Sequence, residues 1–370
     1  MATFISSLVL NNYRNFIQRK FDFNSDKILL CGDNGVGKTN CLEAISFLGR
    51  SQSLRGDDFD EVINCTQQSP DCTIFAELNN NEYIDNIALK YNKITKKKIY
   101  EFNGDVHNSK RQSDLKNHLI NFIILTPQIE QLFISGKSNR RDYLDKIVSD
   151  IDLTHQSRIN DYQKLLKERL LILQKYNLQK TADKWLDIIE NKIAEIGIAI
   201  AFARIEALDF FNKAITSFIS DFPKALLRVN GEVEDKILSG SALKLEEFYR
   251  QKLRENRSAD CQNFKTEFGV HRADFEAIFV NKKISATQSS TGEQKAIMIS
   301  ISLARAKISA QYKNLPTIFL CDEVVSHLDD NRKLAFFDEV AQSKLQYFFT
   351  ATNLQLIPSS KHQNLQVITF

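Results

Sequence analysis

The sequence predicts an α/β protein whose strand–helix–strand core is interrupted by a helical lobe. A β-like run, a glycine-rich loop and a helical run follow one another at KILLCGDNGVGKTNCLEAISFLG, near the start of the chain. Helical spacing dominates from Arg140 to about Phe222, where no proline occurs. Strand, helix and strand return near the end with short links, and this alternation is typical of an α/β lobe.

The bulk composition bounds the class of protein. At 370 residues the chain is long enough to bury a sizeable core and to hold two lobes. Its net charge of +3 allows a nucleic-acid partner without requiring one, so any basic surface must be local. The first residues lack the pattern of a signal peptide, and no run reaches the roughly eighteen apolar residues that cross a bilayer. The six cysteines show no CxxC or zinc-like spacing, so we expect reduced thiols in a cytoplasmic protein without a membrane partner.

Short β-like runs separated by polar clusters predict an antiparallel side sheet between Cys72 and His107. The segments TIFAEL, YIDNIAL and KKIYEF alternate, and Asn103-Gly104 is a strong hairpin-turn signal. We expect further strands before the glycine-rich loop and after the side sheet, at FISSLVL, FIQRKFDF, KILL and NFIIL.

Two runs with apolar residues at three- and four-residue spacing define the helical lobe, INDYQKLLKERLLILQKYN and WLDIIENKIAEIGIAIAFARIEALDFFNKAI. The second is apolar almost all round near Ile196–Phe202, so we expect that part to be buried. Neither keeps the heptad repeat of a long coiled coil. FEAIFV, TIFLC and YFFTA then predict a return to the strands of the core.

The glycine-rich loop matches the phosphate-binding pattern GxxxxGK[ST], with the required strand before it and helix after it. Glycines let backbone N–H groups surround phosphates. Lys38 is expected to reach the β- and γ-phosphate oxygens of ATP, and Thr39 to bind Mg²⁺. A plain glycine-rich turn is the structural alternative, but the match in context favours ATP binding. The predicted nucleotide-binding residues are Gly32, Asp33, Asn34, Gly35, Val36, Gly37, Lys38 and Thr39.

A second ATPase motif follows the apolar run PTIFLC, which ends directly at Asp322-Glu323. Two carboxylates at the end of a buried strand are costly unless they have a function there. Asp322 is expected to hold Mg²⁺ through water, and Glu323 to polarise the attacking water. Capping of the next segment or pairing with a lysine is the structural alternative. The two motifs form a Walker A and Walker B pair, in which Glu323 and Asp322 are the predicted catalytic residues and Thr39 and Asp322 the predicted metal ligands.

The segment SSTGEQKAIMISISLARAK begins a long apolar helix with capping-box spacing, because Glu293 follows Ser290 by three residues. A well-capped core helix is the simpler interpretation. Beside a Walker pair, however, the segment is typical of an ABC-type signature, whose helix start faces the γ-phosphate on a partner molecule. Ser290, Gly292 and Gln294 are then predicted nucleotide contacts across a homodimer that forms on ATP.

For two polar residues near the Walker motifs, the sequence allows two alternative roles each. Ser326-His327-Leu328-Asp329 follows Glu323 where such proteins carry a D-loop lining the same interface. We expect His327 to make an interface hydrogen bond rather than to act as a base. Gln128, after NFIIL, is either a Q-loop residue that senses Mg²⁺ and water or a surface glutamine beside a proline.

These motifs predict a P-loop ABC-ATPase-type head with an antiparallel side sheet and an inserted helical lobe. We expect residues 1–130 to form the N-terminal part of the ATPase lobe, with the Walker A motif. Residues 131–264 are expected to form the helical lobe. Residues 265–370 are expected to form the C-terminal part of the ATPase lobe, with the signature, Walker B motif and D-loop.

Basic residues cluster from Lys90 to Lys98, where five lysines occur beside tyrosines and without an acid. Lys110-Arg111 and Arg140-Arg141 follow. Such runs are usually solvated faces. A contact with phosphodiesters is the alternative for lysines on a hairpin.

From end to end the chain resembles the RecF family of ABC/SMC-type ATPases. The resemblance rests on LVLNNYRNF, GDNGVGKTNCLEAISFL, GRSQSLR, LTPQIEQLFISGKSNRRDYLD, GVHRADF, SSTGEQKAIMISISLARA, CDEVVSHLD and FFTATN. Many ATPases share the Walker A motif, whereas the RRDYLD and HRAD blocks and the TGEQ form of the signature are much more family-specific.

The resemblance implies an ATP-dependent homodimer that binds single-stranded, gapped or junction DNA and works with RecR and RecO to load recombinase. DNA repair, replication, recombination and the SOS response are the implied processes, and ATP and Mg²⁺ the implied cofactors. We expect a weak, DNA-stimulated ATPase that acts as a switch, because Thr352-Asn353 stands where transporter ATPases carry a switch histidine.

A nucleotide-binding subunit of an ABC transporter is the alternative from another functional class. It would explain the Walker and signature motifs equally well, but neither the arginine blocks nor the helical insert. A clamp without hydrolysis is a third interpretation, and Glu323 argues against it.

Overall fold

The computed structural model describes residues 4–49, 54, 59–64, 69–79, 83–106, 120–127, 132–176, 183–218, 220–239, 244–312 and 317–370. At residues 310–312, 326 and 327 the description covers the backbone alone. The chain divides into two compact units. The first comprises Met1–Glu130, Phe218–Pro223 and Met298–Phe370, and the second Gln131–Ser217 and Lys224–Ile297. The second unit thus extends past residue 264 to Ile297, and the three-part division expected above stays a prediction.

The first unit contains a five-stranded parallel sheet with the strand order β14-β3-β13-β12-β8. Its strands are Lys27–Cys31 (β3), Asn121–Leu125 (β8), Thr317–Cys321 (β12), Gln346–Ala351 (β13) and Gln366–Thr369 (β14). All residues of β12 and β13 are buried, as is usual for strands inside a parallel sheet. Because the strands are parallel, the segments that follow β3, β8 and β12 leave from the same edge of the sheet.

Three helices connect these strands. The P-loop helix (Lys38–Ser46) follows β3, and the helix Asp330–Gln342 joins β12 to β13. The signature helix (Thr291–Tyr312) precedes β12, and its residues from Met298 onward belong to the first unit. The strand–helix–strand core predicted from the sequence is confirmed.

The first unit also contains a six-stranded antiparallel sheet with the order β2-β1-β4-β5-β6-β7. Its strands are Phe4–Tyr13 (β1), Phe16–Asp22 (β2), Asp71–Asn79 (β4), Ile84–Asn92 (β5), Lys97–Phe102 (β6) and Asp105–Val106 (β7). Asn103 and Gly104 have φ of 49° and 85°, the left-handed conformations that a tight hairpin turn requires. The predicted antiparallel side sheet and its turn are confirmed.

The second unit is mainly helical. Its helices are Lys137–Val148, His155–Tyr176, Asp183–Thr216, Glu232–Leu238, Leu245–Glu255 and Arg257–Asn263. It also holds a three-stranded antiparallel sheet of Ala225–Asn230 (β9), Asp274–Phe279 (β10) and Ile284–Ser285 (β11), in the order β11-β10-β9.

The assignment of FEAIFV to the ATPase core is therefore wrong. The first five residues of this segment lie in β10, which pairs with β9 over six residue pairs in the second unit. Its alternation of buried and half-buried residues is typical of an antiparallel strand with one open face. Strand propensity predicts that this segment is a strand but does not determine which strand pairs with it.

The long helix Asp183–Thr216 buries one face rather than its whole circumference. Ile193, Ile200 and Phe211 are inaccessible to solvent, whereas Phe202 is 44% exposed. Complete burial near Ile196–Phe202, expected from the sequence, is therefore wrong, because only one side of the helix packs against its neighbours. Among the described helices, none is both long enough and apolar enough to span a membrane.

Candidate nucleotide-binding site

The loop between β3 and the P-loop helix has the backbone that only glycines allow. Gly32, Gly35 and Gly37 have φ of 153°, 85° and 113°, in the left-handed region that other residues rarely adopt. A Cβ on Gly37 would lie 2.7 Å from both Asn15 Nδ2 and Phe16 Cζ, so this glycine is required for close approach as well. The loop therefore exposes its backbone as a phosphate cradle needs.

Lys38 lies inside this loop. Its side chain is buried, with 4% of the residue exposed, and Nζ donates to the carbonyl oxygens of Gly32 and Asp33 over 2.6 and 2.7 Å. The loop thus encloses the positive charge of Lys38. It also lies at the N-terminal end of the P-loop helix, where the helix dipole is positive. Both favour a negatively charged ligand.

The Walker B residues lie beside the Walker A threonine. Thr39 Oγ1 donates to Asp322 Oδ1 over 2.9 Å, and Thr350 Oγ1 donates to the same oxygen over 2.9 Å. The Glu323 N–H donates to Thr350 Oγ1 over 2.8 Å, and Glu323 adopts a left-handed φ of 54°. Thr350 therefore links both carboxylate residues. Its role is not evident from the sequence, because the hydroxyl lies within the apolar strand YFFTA and the family motif FFTATN is the only signal.

A cavity of about 580 Å³ opens at this edge of the parallel sheet, within the usual range for ligand sites. It is lined by Asn34, Gly35, Gly37, Lys38, Thr39, Asn40, Leu54, Thr126, Pro127, Asp322 and Glu323. All of these belong to the first unit. The cradle, the buried ammonium and two adjacent oxygen ligands, Thr39 Oγ1 and Asp322 Oδ1, fit a nucleoside triphosphate with Mg²⁺.

The turn between β1 and β2 contacts the P-loop through Asn15. Asn15 Nδ2 donates to the Val36 carbonyl over 2.9 Å, and Asn15 Oδ1 accepts from Asn40 Nδ2 over 2.9 Å. Asn15 therefore ties this turn to both the loop and the P-loop helix. In the sequence, NNYRNF is recognisable only as a family motif, and nothing in it assigns Asn15 to the site.

Glu43, in the P-loop helix, has a fully buried carboxylate that accepts hydrogen bonds from two neighbouring side chains. Arg14 Nε and Nη2 donate to its two oxygens, each over 2.9 Å, and Tyr13 Oη donates over 2.8 Å. Burial and the neighbouring Glu43 carboxylate raise the pKa of Tyr13 well above its usual value, so the phenol remains a donor. This cluster fixes the helix that carries Lys38 and Thr39.

The signature segment lies in the second unit and forms the predicted capping box. Ser290 N and Oγ donate to Glu293 Oε2 over 2.8 and 2.9 Å, and Glu293 Oε1 pairs with Lys282 Nζ over 2.6 Å. Hydrogen bonds from Lys282 and then from Ser290 lower the pKa of Glu293 to about 2. Gln294 is buried and donates to the Ser289 carbonyl over 3.1 Å, whereas Ser290 is exposed. Ser290 and Gly292 open the signature helix, and neither lines the nucleotide cavity of the first unit.

The predicted D-loop ends in a helix cap, because Asp329 Oδ1 accepts from the Arg332 N–H over 2.9 Å. The side chains of Ser326 and His327, and the whole of Gln128, lie outside the described residues. Their predicted roles stay predictions.

Two sequence blocks marked as family-specific meet in the second unit. Arg140 Nε and Nη2 donate to the two carboxylate oxygens of Asp274 over 2.8 and 2.9 Å, and Arg141 Nη1 donates to the Ala273 carbonyl over 3.0 Å. Arg140 is buried. This bidentate pair joins helix Lys137–Val148 to β10, so Arg140 stabilises the fold.

The fold and site together define a P-loop ATPase head of the ABC/SMC class. The model of the RecF/RecN/SMC N terminal domain matches residues 4–369. The DNA replication and repair protein RecF of Rickettsia conorii is 36% identical over 352 residues, covering 95% of both chains. RecF of Rickettsia canadensis is 35% identical over 354 residues, covering 96% of each. The chain belongs to the RecF family.

Solved structures agree with this assignment. The recombination mediator protein RecF of the RecFOR pathway, solved as RecF-ATPrS, superposes with a TM-score of 0.78 at 25% identity, over 96% of this chain and 94% of that one. The RecF-ATP structure gives a TM-score of 0.76 at 26% identity, over 95% and 92%. An SMC head bound to a domain of ScpA shares the fold at 15% identity, with a TM-score of 0.58 over 99% and 93%. The predicted resemblance and fold class are confirmed, and the comparisons do not support the transporter alternative.

Proposed function

We propose that this chain is an ATP-dependent DNA-binding recombination mediator that acts in DNA replication and repair. The observation that carries this proposal is a Walker A–Walker B cavity in a member of the RecF family. Relatives at 35–36% identity are named DNA replication and repair proteins, and neighbouring structures are named for the RecFOR pathway. By family, RecR and RecO are the expected partners, recombinase loading and SOS induction the expected outcomes, and the cytoplasm the expected location.

ATP is expected to bind along Gly32–Lys38, with the Lys38 ammonium against the β- and γ-phosphates. Thr39 Oγ1 and Asp322 Oδ1 are the candidate Mg²⁺ ligands, since a hard cation prefers oxygen and these atoms are already adjacent. Mg²⁺ would neutralise part of the negative charge of the phosphates. Glu323 is the candidate residue for orienting the attacking water, and Thr350 holds its backbone.

The signature segment is proposed to act across a dimer. Ser290 and Thr291 are exposed at the start of a helix that runs from Thr291 to Tyr312, a place where the helix dipole favours an anion. The Ser290 hydroxyl already donates to Glu293, so it would have to rotate toward a phosphate. In this scheme Ser290, Gly292 and Gln294 of one chain complete the site of the other. ATP then shifts the equilibrium toward the closed dimer by as much as its affinity for the closed dimer exceeds its affinity for the monomer.

Sedimentation with ATP and Mg²⁺, with and without a gapped duplex, tests this proposal. The native protein is expected to double its mass with ATP, more strongly with DNA. Ser290→Arg is expected to remain monomeric, because the larger cationic side chain blocks the helix start. Ser157→Arg adds the same charge at an exposed site of helix His155–Tyr176 and should behave as the native protein does. A native protein whose mass never changes and which does not bind DNA would contradict the proposal.

A further inference from the structure

The hairpin of β5 and β6 carries five lysines that the nucleotide site does not use. They lie at the ends of both strands and in the turn of residues 93–96, at Lys90, Lys93, Lys96, Lys97 and Lys98. The hairpin pairs in register from Ile87↔Phe102 to Asn92↔Lys97. It therefore presents its turn at the end of the antiparallel sheet.

Three of these lysines stabilise the hairpin itself. Lys90 pairs with Glu101 over 2.7 Å, and Lys96 pairs with Asp60. Lys98 Nζ lies 3.5 Å from the centroid of the Phe59 ring, a close cation–π contact. The first contact links the two strands, and the other two attach the hairpin to the segment Phe59–Glu61, so the tip is held in one position.

Two hydrogen bonds donated by backbone N–H groups order the turn. The Lys93 N–H donates to the Pro70 carbonyl over 2.9 Å, and the Thr95 N–H donates to Asn92 Oδ1 over 2.9 Å. Ile94, between them, is 79% exposed. A tip that is rigid before binding loses little conformational entropy when it binds.

Lys93 and Lys97 differ from the other three. Both are exposed, and neither forms an ion pair with any residue in the part of the chain that the structure describes. The nearby acids are already engaged: Asp60 accepts from Lys96 and Tyr91, and Asp71 accepts from Asn92 Nδ2 over 2.7 Å. The fold thus uses three lysines in direct contacts. Lys93 acts on Asp60 only electrostatically, without an ion pair, so the ammonium groups of Lys93 and Lys97 are open to an anionic partner.

We propose that this tip binds the phosphodiester backbone of DNA through Lys93 and Lys97. The inference rests on the proposed DNA-binding function and assigns part of it to a surface. Lysine contacts with phosphates are independent of base sequence, which suits a protein that must act wherever DNA is damaged. A two-stranded ribbon is also narrow enough to follow a groove of about 12 Å.

Titration of a fluorescent gapped duplex between about 50 and 200 mM salt, with ATP and Mg²⁺, tests the inference. Lys93→Ala/Lys97→Ala should lower the slope of log K against log salt by about 2, one unit for each phosphate contact. It should also weaken binding about tenfold at the lowest salt. Lys184→Ala/Lys192→Ala removes the same charge from exposed positions on the helix Asp183–Thr216 and should keep the native slope.

The outcomes separate this inference from the proposed function. A native protein that binds DNA while the Lys93/Lys97 variant keeps both affinity and slope would overturn the hairpin site and leave the proposed function intact. A native protein that binds no DNA would overturn both. Thermal unfolding of each variant verifies folding, and Lys93→Glu/Lys97→Glu should weaken binding further if the contact is electrostatic.

Discussion

Thr39 and Asp322 are 283 residues apart in the chain, yet Thr39 Oγ1 donates to Asp322 Oδ1 over 2.9 Å. The parallel sheet produces this contact, because the segments after β3 and β12 leave from the same edge. The contact brings the two halves of the proposed ATPase site together. It also places an oxygen pair where Mg²⁺ is expected.

Asp322→Asn should remove most of the Mg²⁺ dependence of nucleotide binding. Loss of one charged ligand is worth about 1.5–3 kcal/mol. It corresponds to roughly 10- to 150-fold weaker nucleotide binding in the presence of Mg²⁺. Titration of a fluorescent ATP analogue with Mg²⁺ and with EDTA measures this effect. Asp221→Asn, at an exposed aspartate of the first unit, is the matched control. An Asp322→Asn protein with native Mg²⁺ dependence would remove Asp322 from the metal site.

Thr350→Val should reduce both stability and ATP turnover. The hydroxyl is buried, donates to the buried Asp322 and accepts from the partly buried Glu323 N–H, so its loss removes one hydrogen-bond partner from each. The expected cost in the free energy of unfolding is about 1–3 kcal/mol. Urea unfolding and single-turnover hydrolysis measure the two effects. Thr350→Ser keeps the hydroxyl and should restore turnover; equal turnover of the Val and Ser variants would show that this hydroxyl does not position Glu323.

Lys38→Ala and Glu323→Gln should have opposite effects on dimerisation. The first removes the ammonium expected to bind the phosphates, so ATP should no longer drive association. The second keeps the phosphate cradle and removes the carboxylate expected to orient water, so turnover should fall about 100-fold or more while the dimer persists. Sedimentation with saturating ATP distinguishes them. A monomeric Glu323→Gln protein would count against the ATP-driven switch.

Acid should destabilise the protein in part through His271. Burial is the main cause that lowers the pKa of His271 to about 4, and hydrogen bonding to the Thr266 carbonyl opposes it. The unfolded chain, with an ordinary pKa of about 6.5, binds this proton more readily. The stabilising contribution is therefore complete above about pH 6.5 and is lost as the pH falls toward 4, by up to about 3 kcal/mol.

Urea unfolding from pH 7.5 to 4.5 measures this dependence. His271→Asn should unfold with a shallower loss of stability over that range than the native protein. Identical profiles for the native and His271→Asn proteins would show that this proton is not involved.

Arg204→Met should destabilise the second unit strongly. Arg204 is buried, and its Nε and Nη2 donate to the two oxygens of Asp145, each over 2.9 Å. Removing it leaves that carboxylate without its main partner, at a cost of about 3–5 kcal/mol. The double variant Arg204→Met/Asp145→Asn should recover part of the loss. Chemical unfolding of Arg204→Met, Asp145→Asn and the double variant measures the three losses, and additive losses would contradict a direct pairing.

Much of the candidate site is predictable from the sequence because its chemistry is local. The P-loop needs glycines where φ is positive, followed by Lys38 and Thr39 at fixed spacing, and no contact from elsewhere changes that requirement. The capping box of Ser290 and Glu293 is equally local. The contribution of Thr350 is not predictable in this way, because a threonine in an apolar strand acquires a role only through the strand beside it.

The sequence by itself determined the P-loop, the acidic pair at the end of β12, the side sheet and the capped signature helix. Only the tertiary structure decided that β10 pairs in the second unit, that Asn15 and Thr350 support the site, and that Arg140 pairs with Asp274. The physical reason is that backbone conformation and capping depend on residues a few positions apart. Partner choice between strands, and between charges distant along the chain, is settled by packing and burial of the whole unit.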